Sequence, residues 1–362
     1  MHVIQSMTRP VRAVAWLMFA GLAVLHVSAA SVHRSQIRIR DPFVLPDPET
    51  RTYYIYNTTD WGSPEEQERK AVIVYRSKDL ENWETPKPVF EVPENHWARE
   101  TVWAPEVHRY NGKYYLFVTL TSKDLLPTPP GRPQNRKRGT EILVADHPEG
   151  PFRSFANRPH TPEDWMALDG TLFVEDGVPY MVFCHEWIQI TDGSMDFVRL
   201  TDDLSSAVGT PTKLFHASEA PWTRCRADLG ELFEGKRYHA SITDGPWFHR
   251  TSNGTLLMLW SSYGPAKYAT GVAISKSGRL AGPWEQQEEP LWLDDGGHPM
   301  LFNTFDGRLV MVLHQPNRRV ERAVSSRWKT SARRSGSSAK SRTSTRRAGE
   351  REPTSGEPKD LA

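Results

Sequence analysis

The chain has 362 residues, enough for one large domain or two ordinary ones, and its hydrophobic content of 38%, with 13 Trp, 14 Phe and 11 Tyr, can build a large core. The net charge of +1 is unevenly placed, because residues 321–362 carry 11 basic and 5 acidic side chains and the rest of the chain is mildly acidic. An acidic body lacks the basic face that nucleic-acid binding requires, so we expect no nucleic-acid partner.

The first thirty residues have the features of a secretory signal peptide. Arg9 and Arg12 precede the apolar stretch 13–27, and residues 28–30 (SAA) are small enough for signal-peptidase cleavage. An uncleaved membrane anchor is the alternative, but the apolar stretch is short for crossing a bilayer. We therefore predict a signal peptide at 1–30 and a secreted or periplasmic protein without a membrane attachment after cleavage.

A unit built around a β-hairpin recurs five times along the chain. Each unit has a short apolar run, a turn and a second apolar run, and the turns fall about 60 residues apart. Asn-Gly or Asp-Gly, the strongest hairpin signals, form four of the five turns. Helical periodicity is nearly absent. These repeats predict an all-β fold, a five-bladed β-propeller over residues 31–320, whereas a β-sandwich would not repeat in this way.

The first strand of each propeller blade runs along the central channel, so the residues at the heads of these strands should meet at one mouth of the channel. The residues at these heads are Asp41, Trp103, Asp169, Asp244 and His298. Three carboxyl groups in one small space repel one another unless protons or a cation relieve them. A turn former has no reason to be placed there three times, so we interpret the three aspartates as functional.

The motifs around these residues resemble those of glycoside hydrolase family 43. The motifs, in chain order, are Arg40-Asp41-Pro42, Trp103-Ala104-Pro105-Glu106, Leu168-Asp169-Gly170, Asp244-Gly245-Pro246 and Gly297-His298. The resemblance extends from about residue 38 to residue 317, nearly the whole predicted mature body. It implies a five-bladed propeller that hydrolyses glycosidic bonds with inversion, mainly in arabinofuranosides, xylosides, arabinans and some galactosides.

The resemblance also implies a role for each axial residue. Asp41 would be the general base that activates water, Asp169 would orient the acid and tune its pKa, and Asp244 has the position of the proton donor. His298 matches an axial residue near a water-coordinated calcium ion in many members, so His298 is the candidate metal-binding residue. We expect no required cofactor beyond such a structural ion. Family members more often have Glu-Gly-Pro where this chain has Asp244-Gly245-Pro246.

The chemistry of inversion needs the same kinds of group. One carboxylate must deprotonate water and one carboxylic acid must protonate the leaving oxygen, and a third carboxylate can keep that acid protonated. A second candidate for the acid is Glu186, which ends the second strand of blade three and so returns to the same mouth. We favour Asp244 as the proton donor, with Glu186 positioning a sugar hydroxyl.

Four side chains are candidates for substrate binding. Trp103 has a ring on which a sugar can stack, with ordinary blade packing as its alternative. Trp187 follows a strand end and could line a subsite, and Arg40 could orient Asp41 or stabilise its charge. His298 is the fourth candidate, because it lies at the head of the fifth inner strand.

The segment 321–362 is rich in Ser, Arg, Thr and Gly and nearly empty of aliphatic residues. This composition predicts a disordered basic tail that cannot form blade strands, so blade five would lack its outer strands. Cys184 and Cys225 could form one disulfide in an oxidising compartment, although Cys184 lies in an apolar strand where a buried thiol is equally natural.

These observations predict an exported, monomeric glycosidase of the arabinofuranosidase or xylosidase type that acts on oligosaccharides or polysaccharides of plants. Two alternatives remain open at this point. One is a retaining, fructan-type hydrolase with a similar propeller. The other is a sugar-binding propeller that has lost catalysis, a possibility raised by the curtailed blade five.

Overall fold

The structure, a computed structural model, describes residues 31–230, 232–318 and 320–327. The predicted signal peptide at 1–30 and most of the predicted tail lie outside these residues. Within the described part of the chain, no helix is long and apolar enough to cross a membrane.

Antiparallel strands in five sheets make up most of the described chain. The first sheet contains β1 (Ser31–His33), β2 (Phe43–Asp47), β3 (Thr52–Thr58), β4 (Ala71–Ser77), β5 (Asn82–Glu84) and β6 (Lys87–Glu91). The second contains β7 (Thr101–Tyr110), β8 (Lys113–Leu125), β9 (Arg136–Ala145) and β10 (Arg153–Ser154). The third contains β11 (Ala167–Glu175), β12 (Val178–His185), β13 (Ser194–Leu200) and β14 (Ala207–His216).

The fourth and fifth sheets complete the architecture. The fourth contains β15 (Asp244–Arg250), β16 (Leu256–Tyr263), β17 (Tyr268–Ser275) and β18 (Trp284–Gln286), and the fifth contains β19 (Gly297–Asn303), β20 (Leu309–Gln315) and β21 (Arg322–Arg327). Two short helices, α1 (Pro64–Arg69) and α2 (Trp187–Ile190), lie in connections of the first and third sheets.

The five sheets are arranged as the blades of a propeller. One edge strand of each sheet, β2, β7, β11, β15 or β19, contacts the corresponding strand of the next sheet, and β19 contacts β2 to close the ring. The prediction of an all-β, five-bladed propeller is confirmed, and the heads of the five inner strands meet at its axis.

Local sequence explains the hairpins. β7 and β8 are joined by Asn111-Gly112, and β11 and β12 by Asp176-Gly177, with positive φ at both residues of each turn. A two-residue turn of this kind matches the twist of the paired strands, and Asn, Asp and Gly adopt it at low cost. These turns set the register that brings the head of each inner strand back to the axis.

The core is divided among the interfaces between neighbouring sheets. Tyr56 and Leu116 pack between the first and second sheets, whereas Phe183 of the third sheet packs against the second. Cys184 and Trp260 lie between the third and fourth sheets. Middle strands therefore bury both faces, and for this reason they read as continuous apolar runs instead of alternating ones.

The ring closes between the fifth and first sheets through side-chain and loop contacts. The Glu321 carboxylate pairs with Arg38 at 3.2 Å, and its carbonyl oxygen accepts from the N–H of Ile39 at 3.1 Å. The N–H of Val44 donates to Sδ of Met300 at 3.2 Å. The described strands of the two sheets remain separate, so these contacts hold the two ends of the ring together.

The prediction that blade five lacks its outer strands is wrong for the third strand. β21 (Arg322–Arg327) pairs with β20 and lies inside the segment predicted to be a tail. Ala323 and Val324 supply apolar packing against neighbouring sheets, and the buried carboxylate of Glu321 anchors the strand at its start. The propeller therefore extends beyond residue 320, and a composition average over 321–362 concealed this short strand.

The cysteines do not pair. Cys184 is fully buried in β12, with Sγ 3.9 Å from Sδ of Met195, and Cys225 is partly exposed in the connection between β14 and β15. The structure thus supports the buried-thiol alternative for Cys184 and contradicts the disulfide.

Candidate active site

One residue at or near the beginning of each inner strand has the left-handed conformation. The residues are Asp41, Ala104, Asp169, Gly245 and His298, with φ between 44° and 56°. In four of the sheets the pairing register shifts at the same place, so the head of the inner strand is a β-bulge. Non-glycine residues adopt positive φ at a cost, and such residues cluster at functional sites.

This repeated conformation corrects the predicted equivalence of the five strand heads. Asp41, Asp169 and His298 occupy the left-handed position itself. Trp103 and Asp244 occupy the position before it, because Ala104 and Gly245 take the left-handed conformation in their blades. A Cβ atom at Gly245 would lie 2.6 Å from the ring of His298, so only glycine leaves room for that imidazole.

His298 stands between two of the aspartates. Its Nδ1 atom lies 3.2 Å from Oδ1 of Asp41 and 3.6 Å from Oδ2 of Asp169. Burial alone would lower the pKa of His298, but the two carboxylates outweigh it and raise the pKa to about 10. The imidazole is therefore a cation at neutral pH.

Asp41 is held in its charged form. Burial opposes ionisation, yet His298 and Arg40, whose Nε is 3.7 Å from Oδ1, place the pKa of Asp41 well below its usual range. His314 adds a contact from Nδ1 to Oδ1 at 3.1 Å. An ionised, buried carboxylate of this kind can accept a proton from water.

Asp169 and Asp244 have the opposite electrostatics. Burial raises the pKa of Asp169 to about 8, assisted by repulsion from Asp244 and Asp41 against the attraction of His298. Burial also raises the pKa of Asp244 to about 6, although a hydrogen bond from Tyr268 opposes the rise. The backbone N–H of Gly245, the residue after Asp244, donates to Oδ2 of Asp169 at 3.0 Å and opposes the rise in the pKa of Asp169. A proton is therefore retained in this pair close to neutral pH.

Arg40 reaches the site through its neighbours. Its Nη1 atom donates to the carbonyl oxygen of Asn317 at 2.6 Å, and its guanidinium lies 5.8 Å from the ring centroid of Trp61. Nε2 of His314 lies 3.2 Å from Oδ1 of the same Asn317. Arg40 is thus fixed beside Asp41, as expected for a residue that stabilises the charge of that carboxylate.

Glu186 lies in a separate ionic group. Its Oε2 atom accepts a hydrogen bond from Nη1 of Arg138, and Nε of Arg138 donates to Oγ1 of Thr121 at 2.9 Å. Burial raises the pKa of Glu186, while Arg138 and, more weakly, Arg226 oppose the rise. The cations that act on Glu186 are thus different from those that act on the axial aspartates, which separates its environment from that of Asp244.

Trp103 shares the same group. The guanidinium carbon of Arg138 lies 4.4 Å from the centroid of its ring, so Arg138 covers one face. Trp103 remains partly exposed, which leaves it a candidate for sugar stacking on its other side.

Trp187 is a different case. Only 4% of its surface is exposed, and its ring contacts Phe233 while Arg226 lies 4.9 Å from its centroid. The ring of Trp187 is therefore packed into the wall beside Glu186 and presents little surface to a sugar, and its role in substrate binding stays a prediction. A strand-end position alone did not distinguish an exposed ring from a packed one.

The axis can be tested for the predicted calcium ion. Nε2 of His298 lies 4.0 Å from Oε1 of Glu106, and the other oxygen of Glu106 lies 2.8 Å from Nε2 of His108. Calcium takes six to eight oxygen ligands. A protonated imidazole has no lone pair for a metal, so His298 could bind an ion only as a neutral ring, and water would then have to supply most of the ligands beside one oxygen of Glu106. The metal site at His298 stays a prediction.

Sequence reasoning missed Tyr268 and Arg138. The hydroxyl of Tyr268 donates to Oδ2 of Asp244 at 2.6 Å, but Tyr268 begins the third strand of its blade, where no motif marked it. Arg138 likewise comes from the third strand of the second sheet. Both side chains reach the site because their strands pair with inner parts of the sheets. In the sequence, the alternation of residues along these strands was the only signal that they could face the site.

The site as a whole combines a carboxylate that is held ionised with a carboxyl pair that retains a proton, all buried at the mouth of a propeller channel. Hydrolysis of a glycosidic bond requires these two catalytic groups: a carboxylate that can deprotonate water and an acid that can protonate the leaving group. This arrangement defines a class of protein, the propeller glycosidases.

Comparison with known proteins identifies the family. The family model of glycosyl hydrolases family 43 matches residues 35–334, and the chain belongs to this family of glycoside hydrolases. The chain is 24% identical over 221 residues to an extracellular endo-α-(1→5)-L-arabinanase of Bacillus subtilis, a match that covers 59% of this chain and 62% of the relative. It thus spans less than two thirds of that relative's length.

Two further similarities cover more of the chain. An extracellular exo-α-(1→5)-L-arabinofuranosidase of Cellvibrio japonicus is 22% identical over 340 residues, with 83% of this chain and 84% of the relative covered. The crystal structure of an endo-arabinase from Bacteroides thetaiotaomicron superposes with a TM-score of 0.72 and 38% identity. That superposition covers 83% of this chain and 97% of the other.

Proposed function

We propose that this chain is an exported, inverting glycosidase that cleaves arabinose- or xylose-containing plant polysaccharides, with α-1,5-linked arabinan as its foremost substrate. The choice of arabinan is supported by the names of the relatives, two of which act on α-(1→5)-linked arabinose, and by the endo-arabinase at 38% identity. Export is supported by the predicted signal peptide and by two relatives described as extracellular.

The observation that carries the proposal is the opposite charge preference of Asp41 and the Asp169–Asp244 pair. Asp41 accepts a proton from water as the water oxygen attacks the anomeric carbon. Asp244 gives its proton to the leaving glycosidic oxygen, and the bond from that oxygen to the anomeric carbon breaks. The sugar leaves with inverted configuration, Asp41 ends protonated and Asp244 ionised, and exchange with solvent restores both.

Asp169 acts on the acid in this proposal. It is bonded to the backbone of Gly245, directly after Asp244, and therefore fixes the position of the strand head that carries the acid. Its carboxyl group also interacts electrostatically with Asp244, which keeps a proton in the pair. Both effects support the orienting and tuning role expected from the resemblance.

The experiment is hydrolysis of debranched arabinan, xylan and a set of 4-nitrophenyl pentosides by the purified protein, with Asp41→Asn as the matched inactive control. We expect release of reducing sugar from arabinan that the control lacks. Following the anomeric signals of the first product by NMR tests inversion, since a retaining, fructan-type enzyme would release the opposite anomer. Binding of all pentosides without hydrolysis would instead support the alternative of a sugar-binding propeller.

A further inference from the structure

Tyr268 contacts the proposed acid more closely than any residue singled out in the sequence. Its hydroxyl donates to Oδ2 of Asp244 at 2.6 Å, and the residue is buried with 1% of its surface exposed. Burial raises the pKa of Tyr268 well above its usual value, so the hydroxyl keeps its proton at neutral pH.

The surrounding residues fix the ring of Tyr268. The ring stacks on His314, with centroids 5.8 Å apart and planes 17° from parallel. A Cβ atom at Gly297 would lie 2.1 Å from the ring of Tyr268, so glycine at this position permits the close approach. The tyrosine is therefore held in one place instead of sampling alternatives.

A hydrogen bond donated to Oδ2 decides which oxygen of Asp244 carries the acidic proton. With the Tyr268 hydrogen on Oδ2, the proton of the carboxyl group belongs on Oδ1. We infer that Tyr268 is a positioning residue that confines the transferable proton of Asp244 to Oδ1, the oxygen left free for the leaving group. This inference rests on the proposed function, because it takes Asp244 as the proton donor.

The variant Tyr268→Phe tests the inference through two readouts. We expect kcat on arabinan to fall at least tenfold more than kcat on a 4-nitrophenyl arabinoside, whose leaving group needs little protonation. We also expect the alkaline limb of the pH profile to move to higher pH, because the lost hydrogen bond had favoured ionised Asp244. Tyr263→Phe, in the same sheet, is the control and should leave the limb in place.

The outcomes separate this inference from the proposed function. If Asp244→Asn retains activity on arabinan, the proposed role of Asp244 fails and Tyr268 has no acid to position. If Asp244→Asn is inactive and Tyr268→Phe slows both substrates equally with an unmoved alkaline limb, only the positioning role is overturned.

A second, independent observation concerns the connection between β14 and β15, which carries three metal-ligand side chains. Sγ of Cys225 lies 3.7 Å from Nδ1 of His239, and that nitrogen lies 3.9 Å from Oδ1 of Asp228. All three ligand atoms are within 4.8 Å of one another, and no other group of this kind occurs among the residues that the structure describes.

The distances of 3.7 and 3.9 Å from Nδ1 of His239 to the other two ligand atoms are close to those in a tetrahedral zinc site. Zinc binds sulfur, nitrogen and oxygen at about 2.0–2.3 Å, which places its ligands about 3.3–3.8 Å from one another. A thiolate with an imidazole and a carboxylate suits zinc better than calcium or magnesium, which prefer oxygen ligands. Asp228 and His239 are exposed, so an ion can enter and water can complete the fourth position.

We propose that Cys225, Asp228 and His239 bind a zinc-like divalent ion that cross-links the two limbs of this connection. The backbone N–H of Arg226 already donates to the carbonyl oxygen of Ala240 at 3.0 Å, which pairs the limbs beside the ligands. The same connection leads into β15, which begins with Asp244, so the ion would stabilise a wall of the active-site mouth.

Titration of the purified full chain with Co²⁺ tests this site without relying on activity. We expect one equivalent to bind with a thiolate-to-cobalt absorption band, and Zn²⁺ to displace it. The band should disappear in Cys225→Ser, and affinity should fall at least tenfold in His239→Ala, whereas the exposed His147→Ala serves as the unaffected control. Binding without the band, or unchanged binding by Cys225→Ser, would overturn the site.

Discussion

Nδ1 of His298 lies 3.2 Å from Oδ1 of Asp41. The two residues belong to the fifth and first sheets, which are far apart in sequence and neighbours in the ring. A buried cation and a buried anion in contact support each other's charge, and each loses that support when the other is removed. The ionised state of Asp41, the proposed base, is thus maintained by a residue that is distant in sequence.

Replacing the histidine should change the pH at which the base works. His298→Gln removes the positive charge that lies beside Asp41. The pKa of Asp41 therefore rises, and the acidic limb of the kcat/KM profile moves to higher pH. His314→Gln is the control, because burial lowers the pKa of His314 and its contact with Asp41 is that of a neutral ring. Equal shifts in both variants would contradict the charge of His298 as the cause.

Asp41→Asn should abolish turnover and leave folding and sugar binding nearly intact. The amide has almost the shape of the carboxylate but cannot take a proton from water. Turnover of arabinan and binding of an arabino-oligosaccharide by calorimetry measure the two properties separately. Activity within about tenfold of the wild type would exclude Asp41 as the general base, since loss of a base costs about 10²–10⁴-fold.

Asp169→Asn should lower activity and stabilise the protein at alkaline pH. The pKa of Asp169 is raised to about 8 in the folded state, so its favourable contribution is fully present below the unfolded pKa of 3.8 and is lost as pH rises through about 8. Asparagine cannot ionise and avoids this loss. The melting temperature of the variant relative to wild type should therefore be higher at about pH 9 than at about pH 5.

The size and specificity of this effect can be checked. Each 1 kcal/mol of relative stabilisation shifts the melting temperature by about 2–4 °C in a domain of this size class. Asp146→Asn, at an exposed carboxylate with 80% side-chain exposure, should show no such pH dependence. A difference between Asp169→Asn and wild type that is the same at both pH values would refute the raised pKa.

The proton donor can be identified by rescue with an activated leaving group. Asp244→Asn should lose most of its activity on arabinan and retain most of it on a 4-nitrophenyl glycoside, because that leaving group departs without protonation. Glu186→Gln should slow both substrates alike, since its carboxylate is bonded to Arg138 and supports the site indirectly. Selective rescue of Glu186→Gln, with none for Asp244→Asn, would transfer the donor role to Glu186.

The sequence predicted the parts of the molecule that depend on local pattern. Asn111-Gly112 and Asp176-Gly177 specify hairpins by backbone preference alone, and their repetition was enough to predict the five blades. It did not predict that Asp244 lies one position before the left-handed residue of its strand, because a bulge shifts register by a single residue without changing the apolar pattern.

Contacts between strands account for the rest. Tyr268 and Arg138 reach the site from third strands, so their importance depends on pairing that no local motif reveals. The strand β21 was hidden by its polar composition, since four of its six residues are Arg or Ser and only Ala323 and Val324 are apolar. The burial of Trp187 was not foreseen either, because its neighbours along the chain gave no sign that Phe233 would cover its ring.

Activity depends on closure of the ring at the joint between the fifth and first sheets. Arg38–Glu321 and the Val44–Met300 contact hold this joint, and the proposed base lies on one side of it with both of its histidines on the other. Opening of this joint would separate Asp41 from its two histidines and abolish activity, while every blade kept its strands. On heating, activity should accordingly be lost before the circular dichroism of the protein changes. A bound oligosaccharide that contacts both sides of the joint would stabilise the closed ring against this loss.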